Sequence, residues 1–393
     1  MTETLTDDYY QLRVPGPTPV PRRVVEAMAT AMINHRGPAF AELIAECKAG
    51  LQWAFQTKND ALVFPASGTG GLEAAVQNLA SPGEPAVFVT VGSFGDRFAT
   101  IGEAYGARVI KLAYEWGQGA VAADVAKALD ANPDVRAVFV THNETSTGVT
   151  NPIAEIAREV KQRGRLIAVD GVSSVGSISL PTDELELDVV VSASQKGWML
   201  PPGLAFITVS EAALERSKES RSPKFYFDFV REKNYEDKGQ TLTTPAVSIL
   251  QGMRESLKMM REEGLENVFQ RHVDIARGVR AAVQALELQL LADPRYYSNT
   301  VTAVRAPHDD PDLNKRFTST LRDKYKLEVA GGQGQLQGRI FRIGHLGDIT
   351  REDARQIVAR IEKCLVEVGY IDAPVGAVEA LDAAMAESAA APA

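Results

Sequence analysis

Hydrophobic positions along the chain fall into two rhythms. From about residue 60 to 210, short apolar runs alternate with stretches of helical spacing. Ala86–Val91, Arg108–Tyr114, Arg136–Thr141, Arg165–Val169, Val189–Ser192 and Leu204–Val209 are dense in Val, Ile, Leu and Phe, without clean alternation. Strands covered on both faces have this pattern. Between two of them, Ile153, Ile156, Ala157 and Val160 recur at helical spacing. Pro152 suits the first turn of that helix and Gly164 its stop. The βαβ rhythm predicts an α/β fold, with a mostly parallel sheet between helices. The last connection, Met199–Gly203, is short, so the final strand is expected to run antiparallel.

After about residue 245 the rhythm changes. Val247–Leu291 is almost entirely helical in pattern. Ser298–Val304 and Arg339–Gly344 read as strands, and Leu313–Tyr325 and Arg351–Val368 as helices, which makes an α+β unit. Ahead of residue 60, Pro15, Pro17, Pro19 and Pro21 open the chain before two helices. The expected organisation is an N-terminal arm over 1–20, a large domain over 21–260, a small α+β C-terminal domain over 261–370 and an Ala-rich tail over 371–393. The tail shows no evident packing face and is expected to fray.

Length and charge narrow the classes. A chain of 393 residues is too long for one hydrophobic core. A net charge of −9 argues against general nucleic-acid binding and against adhesion to anionic membranes. No apolar run approaches the roughly 18 residues of a membrane helix. Met1–Gln11 is polar and acidic, unlike a signal peptide. Cys47 and Cys364 lie far apart in helical stretches, as expected of two reduced, packed thiols in a cytoplasmic protein. The five histidines have no HExxH spacing, so no metal is expected.

In an open α/β sheet, ligands bind beyond the carboxyl ends of the strands. Four segments there carry unusual residues. Ser67-Gly68-Thr69-Gly70-Gly71 precedes a helix, and small residues at a helix start let the backbone approach an anion. Alone, such a run is more often a plain turn. Thr141 to Gly148 is a dense polar run after a buried strand, which alone reads equally as a capped turn. Asp170 ends Leu166–Val169, where a desolvated carboxylate wants a cation, although a helix cap is the ordinary alternative. Ser194-Gln195-Lys196-Gly197 follows an apolar strand. A lysine there loses solvation and becomes more nucleophilic, whereas the ordinary alternative is a surface lysine.

Taken in order, an anion cradle, an acid and an amine match the needs of pyridoxal 5′-phosphate (PLP). From Val14-Pro15-Gly16-Pro17 to about Val368, the chain resembles the class V aminotransferases of PLP fold type I. It is most similar to the alanine–glyoxylate, serine–glyoxylate and serine–pyruvate group. Glu144-Thr145-Ser146-Thr147-Gly148, Val169-Asp170, Ser194-Gln195-Lys196-Gly197, Pro201-Pro202-Gly203 and Arg342-Ile343-Gly344 carry the likeness, together with the Ser67 run. The resemblance implies a seven-stranded sheet in the large domain and a transaminase acting on a small amino acid and a 2-oxo acid. It implies that Lys196 bonds the cofactor as a Schiff base and that Asp170 pairs with the ring nitrogen. Val172 and Phe94 would flank the ring, and Thr145 would lie near its substituents. Thr69, Gly70, Gly71 and Gln195 would hold the phosphate, helped by Thr243 from the second subunit of a homodimer. Some relatives add a Tyr where this chain has Gln240. Arg342 would grip the substrate carboxylate, Arg36 would approach its far end, and Gly16 would line the entrance. Ureidoglycine or aspartate as donor, a cysteine desulfurase, and a non-catalytic scaffold are the alternatives. The desulfurase lacks support, because Ala330-Gly331-Gly332-Gln333-Gly334 holds no cysteine.

Overall fold

The computed structural model describes residues 10–308 and 310–387. Its main sheet contains β1 (Asp60–Phe64), β2 (Pro85–Thr90), β3 (Arg108–Ala113), β4 (Ala137–Thr141), β5 (Leu166–Asp170), β6 (Val189–Ala193) and β7 (Ala205–Val209). The seven strands lie in the order β1-β7-β6-β5-β4-β2-β3. Neighbours from β2 to β6 are parallel, and β7 runs antiparallel to both β1 and β6. The short link before β7 thus does what its length requires. β1 is the strand that local pattern alone did not reveal. Its apolar stretch, Ala61–Phe64, is too short to separate strand from helix by periodicity. Pairing with β7 decides it.

Except for the edge strand β3, whose residues are exposed or half-buried against the two-sided cover its sequence suggested, the strands are buried on both faces because alternate side chains feed two cores. Val87, Val89, Val138, Val140, Ile167 and Val169 join one core. Phe88, Phe139, Ala168 and Val191 join the other. There Phe88 and Phe139 stack with ring centroids 4.6 Å apart.

A second sheet of three antiparallel strands contains β8 (Val301–Arg305), β9 (Ala330–Gly331) and β10 (Ile340–Gly344), with β10 central. It shares a core with the helices Leu265–Ala285 and Arg351–Glu367. The long helical stretch after residue 245 is two helices, Val247–Glu263 and Leu265–Ala285, broken at Gly264.

The N-terminal segment straps the two sheets together. Gln11–Leu12 pairs in parallel with Leu327–Glu328. Arg13 forms a buried 2.5 Å ion pair with Asp353, and the Gly344 amide donates to the Arg13 carbonyl at 2.7 Å. Of the arm and tail expected from the sequence, residues 1–9 and 388–393 lie outside the described residues.

The described part of the Ala-rich tail departs from expectation. Ala377–Glu387 is a helix that buries Ala377, Leu381 and Met385. It lies so close to Leu265–Ala285 that a Cβ on Gly278 would sit 2.7 Å from Met385 Cγ. A stripe at i, i+4 and i+8 exists, but only Leu381 and Met385 in it are large, set among alanines. Its packing depends on a glycine far away in sequence.

Among the described residues, no helix is long and apolar enough to cross a membrane. Among them, too, no cluster of His, Cys, Asp and Glu is suited to a metal. Both cysteines are buried, and burial pushes each thiol up to about 12.

Candidate active site

The carboxyl ends of β1, β2, β4, β5 and β6 open on one edge of the sheet. Those of β1, β2, β5 and β6 each deliver part of a cavity of about 190 Å³. From β1 comes the helix Gly68–Leu79. Its N-cap, Ser67, makes no side-chain cap, so the first amides remain available to a ligand. The glycines press this helix start onto the sheet. A Cβ on Gly71 would sit 2.5 Å from Val191 Cγ1, and one on Gly68 would sit 2.8 Å from Val172 Cγ2. Ser67, Thr69, Phe94, Asp170, Val172, Gln195 and Lys196 line the cavity. Gln195 Oε1 is buried there without a partner.

Lys196 is 8 % exposed and donates to the Pro15 carbonyl. Burial lowers its ammonium from 10.5 to about 8, and the charges of Arg342 and Arg97 act in the same direction against Asp170. Gly16 lies along the lysine stem. It has φ +117°, and a Cβ there would come within 2.6 Å of Nζ. The arm therefore covers the amine, which is closer than the entrance position expected for Gly16. Thr18 Oγ1 donates to the Lys196 carbonyl at 3.1 Å and fixes the crossing.

Asp170 is 4 % exposed at the end of β5. Its Oδ1 accepts from the Val172 amide at 3.0 Å. Burial raises its carboxyl from 3.8 to about 6, and the nearby Glu144 adds to the rise; the Val172 amide and Lys196 only partly offset it. A buried carboxyl in this condition is stabilised by a further cationic or N–H donor.

Arg342 extends from β10, buried, with Nε donating to Gly331 O at 2.9 Å and Nη1 to Thr145 O at 3.1 Å. Burial lowers its guanidinium to about 10. Thr145 is held through Oγ1 to Ser173 Oγ at 2.8 Å. These two residues join the polar loop after β4 to the second sheet, beside the cavity.

Two expected contributors lie elsewhere in this chain. Arg36 donates to Gln240 Oε1 at 2.6 Å and stacks over Tyr235, and Thr243 lies three residues beyond Gln240; neither lines the cavity. Two further residues matter to which the sequence assigned no role, although Glu144 lies in the polar run after β4. Glu144 is fully buried and accepts from the Phe94 and Gly95 amides at 3.1 and 3.0 Å, so it caps the helix Ser93–Ala104. Arg97, on that helix, lines the cavity. Its guanidinium carbon lies 4.9 Å from the Phe94 ring centroid.

A family profile described as "Aminotransferase class-V" matches residues 11–334. The soluble hydrogenase small subunit of Synechococcus is 42% identical over 94% of this chain and 96% of its own. The serine–glyoxylate aminotransferase of Hyphomicrobium methylovorum is 40% identical over 86% of this chain and 84% of its own. The solved ureidoglycine–glyoxylate aminotransferase of Bacillus subtilis superposes with a TM-score of 0.88 at 28% identity, covering 99% of this chain and 100% of that one. The profile match over most of the chain, with relatives 40–42% identical over most of its length, makes this protein a member of the class V aminotransferases.

Proposed function

We propose that this enzyme uses PLP, held by Lys196, to move an amino group from a small amino acid, alanine or serine, to glyoxylate or pyruvate. One observation carries the reading. A partly neutral amine, a buried carboxyl and an uncapped helix start meet in one cavity.

The residues fit the cofactor. The amides at Thr69–Gly71 suit its phosphate, and the unpartnered Gln195 amide can present either an acceptor or a donor. Asp170 needs the N–H that a protonated ring nitrogen offers. When bound, the cofactor supplies a reactive carbonyl and an electron-accepting ring. Lys196, near 8, is partly free base at neutral pH, so Nζ would be the group that holds the cofactor at its carbonyl end. The same Nζ would serve as the base at the substrate Cα, holding and moving the proton taken from it. Asp170 as carboxylate keeps the ring nitrogen protonated. Phe94 and Val172 offer apolar surface to the ring, and Thr145 a hydroxyl at its edge. Arg342 presents a planar fork to the α-carboxylate.

Glyoxylate is supported as acceptor by the names of two of the relatives above. The relative named as a hydrogenase subunit favours a second reading, a non-catalytic subunit. A scaffold, however, has no use for a buried Lys196 opposite Asp170. A cytoplasmic homodimer completes the reading, supported by two unpaired buried thiols and by Thr243 lying away from its own cavity.

A donor–acceptor grid tests the whole. Alanine, serine, aspartate and ureidoglycine are each added to PLP-loaded enzyme, and the loss of its visible absorbance is followed. Glyoxylate or pyruvate is then added, and the return is followed. We expect alanine or serine to bleach the enzyme and glyoxylate to restore it. Protein that stays colourless with PLP, or that no donor bleaches, overturns the reading in favour of the subunit.

A further inference from the structure

We propose that Arg97 is the counter-ion of the cofactor phosphate, gripping it from the Thr69 side while its guanidinium backs the Phe94 ring. This rests on the reading of the cavity as a PLP site.

The cradle has a charge deficit. Thr69, Gln195 and the glycine amides are neutral donors, and a helix start contributes only about half a positive charge. A phosphate monoester carries close to two negative charges at neutral pH. Among the described residues lining the cavity, the cations are Lys196 and Arg97. Lys196 is committed to the carbonyl end and is near 8. Arg97 remains.

Its surroundings leave the charge unspent. Arg97 Nη1 donates to the neutral Thr69 Oγ1 at 3.2 Å, a residue of the cradle itself. The adjacent carboxylate, Asp96, is taken by Lys111 at 2.6 Å. A guanidinium has five donors in a fork that matches phosphate oxygens. The platform is rigid as well. Phe94 and Arg97 lie three apart on the helix Ser93–Ala104, hence on one face, with Arg97 over the Phe94 ring. Glu144 anchors the first turn of that helix. One helix thus sets both the ring contact and the charge at the phosphate.

The test compares two ligands. Apoenzyme of wild type, Arg97→Met and Arg97→Lys is titrated with PLP and with pyridoxal, which keeps ring and aldehyde but lacks the phosphate. Kd is read from the visible absorbance. Loss of a charged hydrogen bond predicts about ten- to a hundredfold weaker PLP binding for Arg97→Met. Pyridoxal binding should change less than about twofold, and Arg97→Lys should recover part of the loss. If Arg97→Met does not fold, Arg97→Gln replaces it with the same expectation. Unchanged PLP affinity overturns the proposal. So does equal weakening of PLP and pyridoxal, which would make Arg97 a support of Phe94 alone. A rise in KM confined to dicarboxylic donors, with PLP binding intact, would also overturn it and assign Arg97 to the substrate. Wild-type protein that binds neither ligand would instead overturn the PLP reading itself.

Discussion

Burial moves the two central ionisable groups of the site toward their neutral forms. Lys196 falls from 10.5 to about 8, and Asp170 rises from 3.8 to about 6. Between about 8 and 10.5 the folded apoenzyme holds fewer protons on Lys196 than the unfolded chain, so its stability rises with pH across that window. Between 3.8 and about 6 it holds more on Asp170, so stability falls as pH rises there. The same lysine governs cofactor capture. The free amine is the reactive form, so the rate at which apoenzyme takes up PLP should climb nearly tenfold per pH unit below about 8 and then level off. Stopped-flow absorbance from pH 6 to 9 measures this, and a flat profile would sink the assignment. Borohydride trapping should place the label on Lys196. Arg342→Lys keeps the charge but loses the two-point fork. At roughly 1.5–3 kcal/mol per charged hydrogen bond, kcat/KM for alanine and serine should drop about ten- to a hundredfold. PLP affinity should hold, because Arg342 lies away from the Thr69 end. Intact kcat/KM for both donors, or loss of cofactor, would remove Arg342 from its role.

At the scale of elements, the phosphate cradle depends on how closely one helix start approaches one strand. Gly71 leaves no room for a side chain against Val191. Gly71→Ala should therefore lift the helix from β6 and cost about 1–3 kcal/mol of stability. It should also weaken PLP binding, since the amides move with the helix. Melting curves and a PLP titration check both, and a variant unchanged in both would show that close packing does not build the cradle. The Gly-rich run was legible as a candidate anion site only in series with Asp170 and Lys196, since alone such a run is more often a plain turn. The cap on the neighbouring helix was not. Glu144 reaches Phe94 and Gly95 across about fifty positions of sequence, and helix-start rules see only the nearest few. Nor did Arg97 stand out. A single arginine in an amphipathic helix looks like a solvated side chain until its helix is placed on the sheet.

For the molecule as a whole, two expected contacts do not fall on their own cavity. Arg36 is held by Gln240, and Thr243 lies away from the cavity lining. The proposed homodimer, in which each chain would complete its neighbour's site, would account for both. Sedimentation should show a dimer. Mixing inactive Lys196→Ala with weakened Thr243→Ala subunits should restore activity, because one site in each hybrid then keeps both residues. A fully active monomer, or hybrids with no gain, would contradict shared sites. Within one chain, the arm performs a similar joining role. It is tied to the second sheet through Arg13 and Gly344, and it reaches Lys196 through Gly16.

By itself the sequence determined the βαβ order, the antiparallel last strand, and Lys196 and Asp170 at strand ends. These follow from periodicity and from residues within a few positions of one another, which local sterics and burial control. The family likeness supplied the rest of the candidate list. Tertiary structure alone decided that Asp60–Phe64 is a strand, that the tail packs as a helix against Gly278, and that Gly16 covers the lysine. It also decided that Glu144 caps the helix carrying Phe94 and that Arg97 lines the cavity. Each of these depends on a partner far away along the chain. Pairing, close approach and desolvation come into being only when distant segments meet, so the residues involved carry no mark of them in isolation.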